Sequence, residues 1–144
     1  MDIVNELKQR LMPALYEICQ TIRSELPNIK VKVQSNDGGG ATSEPWHVLG
    51  IFCRLHEDWD DLPNEINMFV SAYKLKTSPT LQFGVWWDHP SYETEYDLFW
   101  QAVPASDEAI QMIEISLPHA TEILKDAARK GRPSINNERN HRTR

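Results

Sequence analysis

The chain has 144 residues and a mass of 16.7 kDa, with 40% hydrophobic and 25% charged residues, which fits one ordinary globular domain and excludes a multidomain assembly. Its formal net charge of −6 is unevenly spread: residues 129–144 hold six basic residues against one acid, Glu138, so residues 1–128 carry nine basic and 20 acidic residues. A body this acidic repels phosphate backbones and hastens encounter with basic partners, which argues against nucleic acid as a ligand.

Val4, Leu7, Leu11, Leu15, Ile18, Ile22 and Leu26 recur every three or four positions and draw one apolar stripe along a helix over residues 2–26. Pro13 falls inside it, where the missing N–H and crowding of the Gln9 carbonyl predict a kink or a break; Pro27 stops the helix. The period then falls to two, with Ile29, Val31 and Val33 alternating with Lys30, Lys32 and Gln34 as a strand. Asn36, Asp37, Gly38, Gly39 and Gly40 carry turn chemistry and predict a loop running to about Pro45. Residues 46–55 read as a central strand, with Leu49, Ile51, Cys53 and Leu55 on one side and Val48, Phe52 and Arg54 on the other.

The segment HEDWDDLPNE, residues 56–65, is an exposed acidic connection around Trp59. Residues 66–76 suit a strand, through alternating Ile66, Met68, Val70 and Ala72, or a short helix, through Ile66, Phe69, Val70 and Tyr73; the strand is adopted. Thr77-Ser78-Pro79 turns the chain into a strand bearing Leu81, Phe83, Val85 and Trp87. A second hairpin turns at residues 88–91 and returns through residues 92–103, with Tyr96, Leu98 and Trp100 on one side and Glu93, Glu95 and Asp97 on the other. Ser106 then caps a last helix, followed by Asp107 and Glu108 at the positive end of its dipole. Ile110, Ile113, Leu117, Leu124 and Ala128 keep helical spacing; Pro118 predicts a kink or a junction, and Gly131 and Pro133 an end.

The plan is α+β: a two-layer sandwich of about five mostly antiparallel strands flanked by N-terminal and C-terminal helices. Residues 1–130 form a single domain, and residues 131–144 are a basic tail too poor in apolar residues to pack. Cys19 and Cys53 are too sparse for a disulfide framework or a zinc site and read as buried thiols. The start MDIVNELKQR lacks the uninterrupted apolar run of a signal peptide, and no 18 apolar residues run together, so a cytoplasmic protein without a membrane segment is expected.

Phosphate-loop and serine-hydrolase signatures are missing, and His56-Glu57-Asp58-Trp59-Asp60 has Asp60 where a zinc protease needs its second His. His47, His56, Asp88 and His89 stand near strand ends and would suit a metal hydrolase if the fold gathered them; structural histidines are the reading preferred, with no metal or cofactor. Glu93, Glu95 and Asp97 form a negative stripe, either a solvated face or a binding surface. Adjacent Trp86 and Trp87 must point to opposite faces of their strand, so one of them lies away from the helices.

With these acidic segments, HEDWDDLPNE and DHPSYETEYD, on a helix-strands-helix plan, the chain resembles the small immunity proteins of contact-dependent growth inhibition and related bacterial toxin systems. That resemblance implies a protein-binding inhibitor rather than an enzyme, whose partner is a cognate toxin domain, often a basic nuclease, with its active site occluded. The contact surface expected from charge and aromatic anchoring is Glu57, Asp58, Trp59, Asp60, Asp61, Trp86, Glu93, Glu95 and Asp97. A different class, the acidic dimeric chaperones of secretion effectors, shares this length and charge and would differ in forming a dimer.

Overall fold

The computed structural model describes residues 2–38, 46–54, 65–73, 80–88 and 96–130. Its order is α1 (Ile3–Glu25), β1 (Lys30–Gly38), β2 (Trp46–Arg54), β3 (Glu65–Tyr73), β4 (Thr80–Asp88), β5 (Tyr96–Pro104) and α2 (Asp107–Lys130). The strands form one antiparallel sheet in the order β1-β2-β3-β4-β5, so the expected α+β architecture holds and the ambiguous segment is strand β3.

Each helix is set by the apolar stripe that its sequence shows. Leu7, Leu11, Leu15, Cys19 and Ile22 of α1 lie over β1 and β2, while Ile110, Ile113, Leu117, Ala120 and Leu124 of α2 lie over β3, β4 and β5. Asp2 accepts from the backbone N–H of Asn5, and Ser106 Oγ accepts from that of Ala109 at 3.0 Å, so both helices start on side-chain caps. Both helices run through their prolines without a break. Pro13 and Pro118 sit on exposed positions, where the carbonyl each leaves unpaired reaches water, and the buried stripes on either side hold the element together.

Both helices share one face of the sheet, and the core lies beneath them: Leu49, Ile51, Cys53, Ile66, Met68, Val70, Leu81, Phe83, Val85 and Trp87 are all nearly inaccessible. Two details differ from expectation. β1 extends through Ser35, Asn36 and Asp37 to Gly38, because each pairs with β2, ending with Gly38 opposite Trp46; ladder pairing overrides the local turn preference of Asn-Asp-Gly. In β5 a register shift opposite Val85 and Trp86 pairs Val85 with Phe99 and Trp86 with Asp97, skipping Leu98. The bulge resets the alternation, and Phe99 and Val103 pack against the core.

Candidate functional site

The sheet face away from the helices carries the other half of each alternation. Trp46, Val48 and Phe52 of β2, Asn67, Phe69, Ser71 and Tyr73 of β3, and Trp86 of β4 line a concave pocket of about 340 Å³. Its floor is Phe69, 5% exposed although no helix covers it. Phe69 pairs across the ladder with Gly50 on one side and Gly84 on the other, so its ring settles between two positions that lack a side chain. The Trp86 ring meets it edge-on, with centroids 4.1 Å apart and planes at 79°.

Asn67, Ser71 and Tyr73 are the pocket's polar side chains, and Asn67 is the one left unsatisfied. Only 7% of it is exposed, and its Oδ1 accepts no hydrogen bond from the described residues. An unsatisfied buried acceptor costs about 1–3 kcal/mol, so such an atom marks either strain or a place where a donor belongs. A smaller cavity of about 170 Å³ adjoins it, lined by Lys30, Val31, Lys32, Phe52, Arg54 and Glu65. Phe52 is the wall between the two. The register explains the adjacency: Lys32, Phe52, Asn67 and Trp86 are consecutive partners in one row across four strands, and Lys30, Arg54, Glu65 and Asp88 form the next row but one. Neither Lys30 nor Lys32 has an ion-pair partner among the described residues, while Arg54 approaches Glu65 at 3.9 Å.

His47 lies on the helix side and is 4% exposed. Its Nε2 is 2.8 Å from Ser35 Oγ and its Nδ1 is 3.0 Å from Asp37 Oδ1. The connectivity is that of a nucleophile, base and acid chain, but Asp37 is 70% exposed, whereas an orienting carboxylate works by holding the imidazolium in a dry site. The arrangement satisfies both nitrogens of a buried ring and ties the end of edge strand β1 to β2. His47 pairs with Ala72 and Asp88 with Glu65, seven positions apart along β3, or about 23 Å. These two members of the alternative metal-hydrolase set therefore stand at opposite ends of the sheet, and His56 and His89 lie outside the described residues. Among the described residues, no three His, Cys, Asp or Glu side chains are grouped to hold a metal ion.

Of the expected contact surface, Trp86 lies on the open face while Trp87 is 2% exposed under α2. Glu57, Asp58, Trp59, Asp60, Asp61, Glu93 and Glu95 lie outside the described residues, and Asp97 is placed by register alone, opposite Trp86. The residues that bracket the two acidic connections are neighbours, however. Arg54 pairs with Glu65, Glu65 with Asp88, and Trp87 with Tyr96, so both connections leave and rejoin the sheet at one end. The chain passes from α1 into β1 at that same end, and α2 finishes there, as the pairing of Lys125 and Arg129 with Glu25 shows. Asn67 and its row went unnoticed in the sequence because β3 is buried on both faces; the only available signal was an amide amid Ile66, Met68, Phe69 and Val70.

Among the described residues, no helix is long and apolar enough to cross a membrane. Comparison with family models, with curated proteins and with solved structures gave no match.

Proposed function

We propose that this chain is a protein-binding inhibitor, an immunity protein that neutralises a basic toxin domain by covering its active site. The observation that carries the reading is the strand register that brackets HEDWDDLPNE and the acidic segment before β5 at one end of the sheet. Both helices also turn the negative ends of their dipoles toward that end, adding to the field of Glu57, Asp58, Asp60, Asp61, Glu93, Glu95 and Asp97. Such a field steers a basic domain into encounter, and Trp59 and Trp86 supply the large aromatic area on which interface energy concentrates.

The test uses the product of the reading frame next to this gene. Its expression alone should arrest growth, and co-expression of this chain should restore growth through a stoichiometric complex. Replacing Glu57, Asp58, Asp60 and Asp61 together with Ser should slow association at low ionic strength, with the difference shrinking at high salt. An unchanged association rate at low salt would remove the acidic end from the interface, and growth arrest untouched by this chain would remove the function.

A further inference from the structure

The aromatic pocket of the open face shares Trp86 with the protein-binding surface proposed above, and its basic rim, Lys30 and Arg54, lies in the strand row from which the acidic connections leave, but its chemistry is different. Three elements of one surface need a common explanation. The first is a set of flat walls formed by Trp46, Phe52, Phe69 and Trp86. The second is the Asn67 Oδ1, buried against those walls without a donor among the described residues. The third is the basic strip of Lys30, Lys32 and Arg54 beyond Phe52, in which two of three cations lack ion-pair partners among the described residues.

We propose that this face binds a small aromatic anion of the nucleotide type: a planar nitrogen heterocycle with an N–H donor, carrying a phosphate. The heterocycle stacks between Trp86 and Phe52 above the buried Phe69 floor, its N–H donates to Asn67 Oδ1, and its phosphate reaches Lys32 with Lys30 and Arg54 behind it. The spacing is set by the sheet: Asn67 and Lys32 are two strands apart in one row, about 10 Å between backbones. A volume of about 340 Å³ falls within the size of small-molecule pockets. The terminal torsion of an asparagine is broad and soft, so the amide turns toward the ligand at little cost. A cationic ligand, which aromatic walls alone would suit, meets Lys30, Lys32 and Arg54 against the single carboxylate of Glu65, which Arg54 already approaches at 3.9 Å. A nucleic-acid strand would carry several phosphates across a body with 20 acids and nine bases, so a single free nucleotide is the occupant that both charge patterns allow.

The probes are guanosine monophosphate, guanosine and a short single-stranded RNA, titrated into the full-length protein with tryptophan fluorescence and calorimetry as readouts. Guanosine monophosphate should bind and quench the tryptophans, with guanosine weaker. K32E should remove most of the advantage of the monophosphate and leave guanosine unchanged. N67L should weaken both by about tenfold, the loss of one buried hydrogen bond. Should N67L fail to fold, N67D keeps the shape and the acceptor while adding a charge, and should weaken the monophosphate more than guanosine. No saturable binding of either probe, equal affinity of wild type and N67L or N67D, or tighter binding of the RNA than of the monophosphate would overturn the proposal. A bound nucleotide without toxin neutralisation, or the reverse, separates this site from the protein-binding reading.

Discussion

At the scale of single residues, the core contains a thiol whose ionisation reports on folding. Cys53 is 0% exposed beneath α1, and burial, helped by neighbouring Cys19 and Glu65, pushes its thiol up from 9.0 to about 12. A raised pKa means that the folded chain keeps a proton that the unfolded chain has given up. The stabilising contribution is therefore fully present below pH 9 and is lost as pH rises from 9 toward 12, at roughly 1.4 kcal/mol per pH unit. Lys125 adds in the same direction at higher pH, since its hydrogen bond to Glu25 raises its pKa above 10.5, and that stability fades once the ammonium loses its proton. The contribution of Cys53 is isolated by comparing wild type with Cys53→Ala. Urea midpoints of the wild type should fall more steeply between pH 8.5 and 10.5 than those of the variant; parallel losses would show that the thiol is already accessible.

At the scale of elements, the open face depends on an absence. A Cβ at Gly50 would meet the carbonyl oxygen of Met68 and the Cα and Cβ of Phe69, so the close approach of β2 to the β3 backbone requires glycine there. Gly50→Ala should cost about 1–3 kcal/mol, read as a lower urea midpoint, and should displace the pocket floor, read as altered tryptophan fluorescence. A variant as stable as wild type would mean that the strands shift apart freely. The same comparison shows which parts of this molecule are legible without a structure. Elements with one dry face declare themselves: α1 and α2 by spacings of three and four, β2 and β4 by alternation, since burial on one side is a local periodicity. What depends on pairing does not. The polar end of β1 is a strand only because β2 supplies its partners, and the bulge that brings Phe99 against the core is a property of β4 and β5 together. The candidate pocket is of this second kind, for Lys32, Phe52, Asn67 and Trp86 come from four segments that only the register joins.

At the scale of the whole molecule, the number of strands fixes the relation between the helices. Each helix runs antiparallel to the strand it adjoins, and with five antiparallel strands β1 and β5 point the same way, so α1 and α2 are parallel. Parallel dipoles side by side repel. The side chains that bridge the helices are arranged against this repulsion. Arg10 of α1 binds both Asp107 and Glu114 of α2, and at the other end Glu25 of α1 meets Lys125 and Arg129 of α2. The carboxylates raise the pKa of Arg10, Glu114 first, so the guanidinium stays charged wherever it meets them. Arg10 is partly open to solvent, and so its attraction is screened by salt while the apolar packing around it is not. Wild type should therefore gain less stability than Arg10→Met when sodium chloride is raised from low to molar concentration, because salt strengthens apolar burial in both but weakens the bridge in only one. The measurement is a pair of urea midpoints for each protein. If the two respond to salt alike, the parallel helices are held by the sheet beneath them alone, and the bridge serves to fix which residues of α1 face α2 rather than to bind the helices together.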